Sequence, residues 1–339
     1  MKKGVFERNP VGVEVGRGLH RTMSRAMFCA LRQRGVVKTF RPSCVRSVRF
    51  IGMLSRLRLS RRQFMRLMAG VSLLLLTSLA WLVWLLRVYT PRVQVTRWRV
   101  QPSGWNAGSV TVAFVTDTHS GAPWNGLARL REIVEQTNAL GADVIVLGGD
   151  YVYHGLANRR PTNAELAQVL GELRAPQGVF AVLGNHDYWD DPGEIAEEFE
   201  AQGIQVLSNR GVEMGSGRWW IAGVSDYIET VPDVTAALQN RPEGVPVLFV
   251  SHVPDIFPEL PVDVNLTLSG HTHGGQVAIP WVGPVLVPSR YGTRYVRGIY
   301  EESGRTLVVS AGLGTTGLPI RRGVPAEIVL LEIGDAVRD

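Results

Sequence analysis

Cysteine is almost absent from this 339-residue chain, which has only Cys29 and Cys44. Residues 100–339 contain none, so that part has no disulfide framework, no thiol nucleophile and no cysteine-bound metal. Internal repeats and low-complexity segments are also lacking. The C-terminal part can therefore fold in a reducing or an oxidising compartment, and any metal that it binds must be held by oxygen and nitrogen ligands.

Acidic residues are scarce at the N-terminus. Residues 1–66 contain 17 Lys and Arg but only Glu7 and Glu14, whereas residues 100–339 carry 15 Lys and Arg against 28 Asp and Glu. The basic isoelectric point of the chain therefore comes from its N-terminal arm, and the remainder is acidic. An acidic surface argues against nucleic-acid binding by residues 100–339.

Charge is missing altogether from residues 67–86, LMAGVSLLLLTSLAWLVWLL. A helix of about 20 residues spans roughly 30 Å, the thickness of the hydrocarbon core of a bilayer, and aromatic rings such as Trp81 and Tyr89 favour its interface. We therefore expect one transmembrane helix. Ser78 and Ala80 resemble a signal-peptidase site, but six apolar residues follow them, which favours an uncleaved anchor.

The segment before the span, SRRQFMR (60–66), is similar to a twin-arginine export signal. The excess of basic residues before the span predicts a cytoplasmic N-terminus, and hence a C-terminal domain on the periplasmic side of the inner membrane. Translation starts either at Met53 or at Met1, and in the second case the arm can bind anionic lipid head groups. We expect a basic arm (1–52), a signal and anchor with a linker (53–99), and a globular domain (100–339).

The globular part alternates short apolar runs with amphipathic stretches, which predicts an α/β fold that becomes richer in strands towards its C-terminus. Helices are expected at 126–141, 163–174 and 193–203. Strands are expected at 110–116, 143–149, 179–184, 218–224, 245–251, 264–269, 306–313 and 326–333.

Histidine is rare, with seven residues in the chain, yet five of the seven follow predicted strands. In α/β sheets, ligands bind beyond the carboxyl ends of the strands. The pair at 271 and 273 is spaced by two, so both rings of an extended segment point to the same side. We therefore predict a metal site built from five loops. Its candidate residues are Asp117 and His119, Asp150, Asn185 with His186 and Asp187, His252, and His271 with His273.

These residues stand in an ordered motif: DTH (117–119), GGD (148–150), GNHD (184–187), SH (251–252) and GHTH (270–273). The motif resembles that of the calcineurin-like metallophosphoesterases, and the resemblance covers about residues 110–335. GHTHGGQ, the tail AGLGTTGLPIRRGVPAEIVLLEI and the N-terminal signal are most similar to the bacterial membrane-associated phosphodiesterase branch. The resemblance implies a four-layer α/β/β/α sandwich of two mixed sheets.

The resemblance also implies roles for the candidate residues and a cofactor of two divalent metal ions. Mn, Fe or Zn suits a set of imidazole, carboxylate and amide ligands. His186 would protonate the leaving group or stabilise the phosphate, and Asp187 would orient the His186 ring. Asp117, His119 and His273 would hold one ion, Asn185, His252 and His271 the other, and Asp150 would bridge both.

The activity implied is metal-dependent phosphoric ester hydrolysis, in which a metal-bridging hydroxide cleaves a phosphodiester or pyrophosphate of a small molecule or lipid. One alternative is hydrolysis of UDP-2,3-diacylglucosamine in lipid A synthesis, which needs a cytoplasmic site. Another is a non-catalytic, metal-stabilised membrane scaffold. The arginines that follow the last histidines either bind substrate phosphate or are solvated residues on loops: Arg290, Arg294, Arg297, Arg321 and Arg322. Tyr151 and His154 either line the cleft or have only structural roles.

Overall fold

The computed structural model describes residues 60–88, 92–155 and 160–334, with only the backbone described at 83–88. The predicted basic arm (1–52), the alternative start at Met53 and the interfacial Tyr89 lie outside the described residues. The N-terminal helix and the globular part are described separately below.

The N-terminal helix α1 (Arg61–Val88) contains the whole predicted span. Its first turn is closed by a reciprocal cap, in which Gln63 N–H donates to Ser60 Oγ at 3.3 Å and Ser60 N–H donates to Gln63 Oε1 at 2.9 Å. The stretch Arg61–Leu82 is long and apolar enough to cross a membrane, by length and composition. The twin arginines therefore occupy the first turn of the same helix that carries the apolar run.

Five further α-helices and fourteen strands form the globular part that the structure describes. The helices are α2 (Leu127–Asn138), α3 (Asn163–Leu170), α4 (Asn185–Tyr188), α5 (Pro192–Ala201) and α6 (Val234–Ala237). The strands are β1 (Val93–Val100), β2 (Val110–Val115), β3 (Val144–Leu147), β4 (Val179–Ala181), β5 (Ile204–Val206), β6 (Arg210–Met214), β7 (Trp219–Gly223), β8 (Val247–Val250), β9 (Leu266–Ser269), β10 (Ala278–Ile279), β11 (Gly283–Pro284), β12 (Gly298–Glu302), β13 (Arg305–Val309) and β14 (Ala326–Ile333).

Two six-stranded mixed sheets form the centre of the fold. The first has the order β1-β14-β2-β3-β4-β5, and the second has the order β12-β13-β9-β8-β7-β6. Strands β2 to β5 run parallel to one another, as do β7, β8, β9 and β13, while β14 is antiparallel to β2. A separate two-stranded hairpin pairs β10 with β11. The predicted class and the two mixed sheets are confirmed.

Side chains alternate between the two faces of each sheet, which explains the layers. In β2, Val112 and Phe114 face the second sheet, whereas Ala113 and Val115 pack against the helices α2, α3 and α5. In β8, Leu248 and Val250 meet the first sheet, and Val247 and Phe249 pack beneath the 3-10 helix Pro254–Glu259. Burial of both faces of the central strands explains why they appear in the sequence as nearly continuous apolar runs.

The globular domain begins earlier than the predicted boundary at residue 100. Residues 93–99, assigned to the linker, belong to β1, which pairs in parallel with β14 along its whole length. The strand escaped prediction because it lies at the sheet edge, where charged Arg97 and Arg99 alternate with partly buried residues. The chain therefore enters the first sheet within a few residues of the apolar helix.

A buried ion pair fastens β1 and β14 to the second sheet. The Glu327 carboxylate on β14 is fully buried, accepts hydrogen bonds from Thr96 Oγ1 on β1 and from Ala311 N–H, and pairs with Arg297, whose Nε lies 2.8 Å from Oε1. Burial alone would raise the pKa of Glu327, but the hydrogen bonds from Arg297 and Thr96 hold it below its usual value. The charged carboxylate is therefore the form that stabilises the fold.

We expect Glu327→Gln to lower the free energy of unfolding by about 3 kcal/mol at neutral pH, because Arg297 loses its buried partner. The lowered pKa means that this contribution is complete above the pKa of an unfolded glutamate and is lost as the pH falls through the folded value. Denaturant unfolding of the unaltered chain and of the Glu327→Gln variant between pH 7 and pH 3 measures this contribution to the free energy of unfolding. Glu332→Gln on the same strand is the control, since Glu332 pairs with the exposed Arg99 and should change stability by less than about 1 kcal/mol. Equal effects of the two substitutions on the free energy of unfolding would contradict the stabilising role of the buried Glu327–Arg297 ion pair.

Candidate metal centre

The predicted site residues are brought together at one edge of the two sheets. Each follows the carboxyl end of a parallel strand, where ligand sites form in α/β folds. The first sheet supplies three loops and the second supplies two. Asp117 and His119 follow β2, Asp150 follows β3, Asn185, His186 and Asp187 follow β4, His252 follows β8, and His271 and His273 follow β9.

The first donor group consists of Asp117, His119, Asp150 and His273, whose ligand atoms all lie within 4.8 Å of one another. The Nε2 atoms of His119 and His273 are 3.0 Å apart, and Asp117 Oδ1 lies 3.5 Å from His273 Nε2. All four side chains are buried. Two imidazole nitrogens and two carboxylates that converge in this way form a set of ligands suited to one divalent cation.

The second donor group contains Asp150, His252 and His271, again with ligand atoms within 4.8 Å of one another. Asp150 belongs to both groups, because its Oδ2 lies 3.2 Å from His252 Nε2 and 3.5 Å from His119 Nε2. Its other oxygen accepts a hydrogen bond of 2.9 Å from the backbone N–H of His186, which fixes the carboxylate in place. One carboxylate therefore serves two adjacent sites.

Two buried atoms of the second site, Asn185 Oδ1 and His271 Nε2, have no hydrogen-bond partner, and His252 Nε2 contacts the Asp150 carboxylate at 3.2 Å. Buried polar atoms are rarely left unpaired, and each such atom costs about 1–3 kcal/mol. Together with Asp150 they are the amide, imidazole and carboxylate atoms that a divalent cation would take. The residues present therefore fit a second metal ion.

The tautomers of His252 and His119 suit coordination through Nε2. Nδ1 of His252 lies 2.7 Å from the carbonyl of Gly148, and Nδ1 of His119 lies 3.2 Å from that of Val152. A carbonyl can only accept, so each Nδ1 carries a proton, and in the neutral ring the Nε2 lone pair then faces the site. These carbonyls belong to the loop after β3, which also carries Asp150.

Burial keeps three of the imidazoles neutral, as metal ligands must be. It lowers the pKa of His119 to about 3 and that of His271 to about 3, and it holds the pKa of His273 well below its usual value. Burial would also lower the pKa of His252, but the neighbouring Asp150 raises it to about 10. The site therefore attracts positive charge next to Asp150.

The backbone of the site is strained at its ligands. Five of the seven predicted ligands have positive φ angles, between 42° and 68°: Asp117, His119, Asp150, His271 and His273. Such left-handed conformations are uncommon for residues with a Cβ and cluster at functional sites. Two glycines of the motif allow close approach, since a Cβ on Gly184 would collide with Asp150 and one on Gly270 with Asp117.

His186 lies beside the donor groups but belongs to neither of them. Its ring centre is 4.6 Å from that of His119, its Nδ1 is buried without a partner, and its Nε2 lies 3.4 Å from Thr316 Oγ1. The rings of His154 and Trp189 lie 5.5 Å and 4.3 Å from it, so His154 lines the same cleft. Trp189 and Thr316 were missed in the sequence, although Trp189 is one helical turn after His186.

The structure gives Asp187 a different role from the one predicted. Its carboxylate is buried and accepts four backbone hydrogen bonds, and among the contacts that the structure describes none reaches the His186 ring. The reason is geometric: adjacent residues on the short helix α4 point in different directions. Asp187 instead holds the loop that carries Asp150. The donors are the N–H groups of Asp150, Tyr151, Val152 and Gly184.

We expect Asp187→Asn to weaken metal affinity by about 10–100-fold, because an amide nitrogen cannot accept and the Asp150 loop loses half of its anchor. Titration of the metal-stripped chain with Mn²⁺ measures the affinity. Asp255→Asn is a matched control, since the buried Asp255 holds a different loop through Ser289 Oγ and Arg290 N–H. Unchanged Mn²⁺ affinity together with a loss of turnover would instead support the predicted role of Asp187, which is to orient the His186 ring.

The candidate phosphate-binding arginines are engaged elsewhere. Arg290 pairs with Glu259, Arg294 with Glu302, and Arg297 with Glu327. Arg321 is buried behind His273, with Nη2 3.2 Å from His273 Nδ1 and 2.7 Å from the carbonyl of Ala311. Its position supports His273 from the side away from the cleft.

Comparisons with known proteins agree with this geometry. A family model described as calcineurin-like phosphoesterase matches residues 110–275. An uncharacterized metallophosphoesterase of Helicobacter pylori (strain J99) is 29% identical over 230 residues, which cover 66% of this chain and 59% of that protein. An uncharacterized metallophosphoesterase of Aquifex aeolicus (strain VF5) is 35% identical over 198 residues, covering 56% of this chain and 72% of the relative.

A transmembrane protein with metallophosphoesterase domain from Danio rerio is also similar to this chain. It is 29% identical over 243 residues, which cover 66% of this chain and 53% of that protein. The chain spans about half the length of the curated relatives with the strongest matches. The segment matched by the family model, residues 110–275, contains the five site loops.

Proposed function

The chain belongs to the calcineurin-like metallophosphoesterase family, and from this premise we propose that it is a membrane-tethered phosphoesterase that uses two divalent metal ions. The observation that carries the proposal is the sharing of Asp150 between two buried donor groups. A single metal at the first group would leave the buried Asn185 Oδ1 and His271 Nε2 atoms without a partner.

Each metal would have its own ligands on this chain. Asp117, His119 and His273 would hold one ion, Asn185, His252 and His271 the other, and Asp150 both. Mn, Fe and Zn all suit this mixture of imidazole, carboxylate and amide. When bound, the two ions supply Lewis acidity to the phosphoryl oxygens and acidify water towards neutral pH.

His186 is the residue best placed to move a proton. It is not needed as a ligand, it borders the first donor group, and its Nε2 faces the cleft beside Thr316. Burial lowers the pKa of the free His186 ring, and an anionic phosphate next to the ring would favour the protonated form. We assign to it the transfer of a proton to the leaving oxygen.

Membrane tethering rests on α1. Its apolar stretch is long enough to cross a bilayer, and a relative of the chain is itself described as a transmembrane protein. The basic residues before the span favour a cytoplasmic N-terminus, and the twin arginines favour export of the folded domain. We propose an uncleaved anchor in the inner membrane with the metal centre on the periplasmic side.

Phosphodiesters or pyrophosphates are proposed as substrates rather than phosphomonoesters. The test uses the full-length chain in detergent, stripped of metal and reloaded with Mn²⁺ or Zn²⁺. Metal-dependent hydrolysis of bis-p-nitrophenyl phosphate, with slow hydrolysis of p-nitrophenyl phosphate, is the expected result. Faster cleavage of the monoester would contradict the phosphodiester preference, and metal-independent cleavage would contradict the mechanism.

A further inference from the structure

The hairpin β10–β11 presents apolar side chains to solvent. Its turn, closed by a 3.1 Å hydrogen bond from Val282 N–H to the carbonyl of Ile279, has Pro280 and Trp281 at the central positions. Trp281 is fully exposed, and its φ of 65° is one that normally favours glycine. The apolar ring of Trp281 is left in water, so burial of this ring in an apolar environment would be favourable.

The exposed apolar surface continues from the hairpin tip. Val282 and Leu286 are 75% and 76% exposed, and Leu318, on a facing loop, is 63% exposed. Leu286 and Leu318 line the same pocket, and groups of exposed apolar side chains can mark interaction sites. We call the group formed by Trp281, Val282, Leu286 and Leu318 the apolar rim.

An apolar pocket of about 450 Å³ lies between the hairpin and the loop that carries Leu318. Its outer walls are formed by Val277, Val285, Leu286, Leu318 and Ile320. No Asp, Glu, Lys or Arg lines it, and its polar lining includes Gln276, Thr316 and His273. The amide of Gln276 ties the two walls together: its Nε2 donates to the carbonyls of Thr316 and Leu318, and its Oε1 accepts from Thr316 N–H at 2.8 Å.

The pocket is continuous with the metal centre. His273, a member of the first donor group, and Thr316, which lies 3.4 Å from His186 Nε2, both line it. A molecule with a phosphate at the donor groups could therefore extend an apolar tail between these two residues and out past the apolar rim.

We propose that the pocket binds an alkyl or acyl chain of an amphiphilic, lipid-type phosphoester, with the apolar rim at the lipid surface. This inference rests on the proposed function for the position of the phosphate. The outer walls are formed mainly by aliphatic side chains, which favour an alkyl chain over a polar nucleotide base or sugar. A lipid is favoured over a second copy of the chain because the pocket leads to the metal centre and the same chain has a helix of membrane-spanning composition.

The first test is equilibrium binding of methyl, butyl and octyl phosphate to the full-length, Mn²⁺-loaded chain in lipid nanodiscs, by calorimetry. Each methylene that enters the pocket should increase affinity about threefold to fourfold until the pocket is filled. The double variant Leu286→Ser/Leu318→Ser should lose about tenfold or more in octyl phosphate affinity. Its two side chains are largely exposed, so the fold should survive.

The matched control is Val262→Ser, which removes another exposed apolar side chain, 79% exposed and remote from the pocket walls. It should retain the full dependence on chain length. Equal affinities of methyl and octyl phosphate for the unaltered chain would overturn the proposal, as would equal losses in the control and the double variant. The proposal would also be overturned if the unaltered chain were a dimer that dissociates on Trp281→Ser while alkyl phosphate affinity did not depend on chain length. The apolar rim would then be assigned to contact with a second copy of the chain.

The second test separates this inference from the proposed function. Methyl and octyl p-nitrophenyl phosphate are compared as substrates of the same proteins. Hydrolysis of both esters with a preference for octyl that the double variant loses supports the pocket. If both are cleaved equally well the pocket proposal fails while the phosphoesterase stands. If neither is cleaved the proposed function fails, and the binding measurement alone then decides whether the pocket takes an alkyl chain.

Discussion

Asp150→Asn is expected to reduce phosphodiester hydrolysis by about 10³-fold or more, and to lower the bound metal to below two ions per chain. The Asp150 carboxylate would hold both ions, because it belongs to both donor groups. Each 1.36 kcal/mol of transition-state stabilisation that is lost lowers the rate about tenfold. The fold should persist, because the Asn carbonyl can still accept from His186 N–H as Asp150 Oδ1 does.

The measurements for this variant are kcat/KM on bis-p-nitrophenyl phosphate, metal content by elemental analysis, and the thermal midpoint. Asp263→Asn is the matched control, since it makes the same chemical change at a half-exposed carboxylate that pairs with Arg241, outside the donor groups. It should leave all three quantities near the values of the unaltered chain. Full activity of Asp150→Asn with normal metal content would refute the bridging role.

His186→Ala is expected to reduce turnover by about 10²–10⁴-fold while both metal ions remain bound. The ring contributes to neither donor group, so its removal leaves the ligands in place. The loss should depend on the leaving group: large for diphenyl phosphate, whose phenolate needs a proton, and much smaller for bis-p-nitrophenyl phosphate, whose p-nitrophenolate is stable without one.

The comparison between the two esters is what distinguishes a proton donor from a group that only contacts phosphate. A loss of equal size on both esters would assign His186 to phosphate binding. Loss of metal together with activity would make it a ligand. Thr316→Val, which removes the hydroxyl 3.4 Å from His186 Nε2, provides a milder companion variant and should reduce turnover by less.

The convergence of the candidate ligand residues could be predicted from sequence because it depends on the order of local features along the chain. Apolar runs predict parallel strands, strand ends lie at one sheet edge, and donor residues at five of those ends must meet there. The loops after β2 and β9 are distant in sequence, yet His119 and His273 are in contact. Fold class and site position therefore followed from the order of the motif.

Other features depend on tertiary contacts that a single sequence does not display. The role of Asp187 is set by backbone N–H groups of a loop more than 30 residues away, including Asp150 N–H. Strand β1 carries too many charges to be distinguished from a linker until its pairing with β14 is known. The apolar pocket arises only when Gln276 brings the hairpin against the loop at Leu318.

The most direct test of the account is the metal stoichiometry of the full-length chain. The stripped protein is titrated with Mn²⁺, and the electron paramagnetic resonance spectrum is recorded at each addition. Two equivalents should bind, and their signals should show magnetic coupling, because one carboxylate, Asp150, belongs to both donor groups. Binding of a single equivalent, or of two ions without coupling, would contradict a shared site assembled from the five loops.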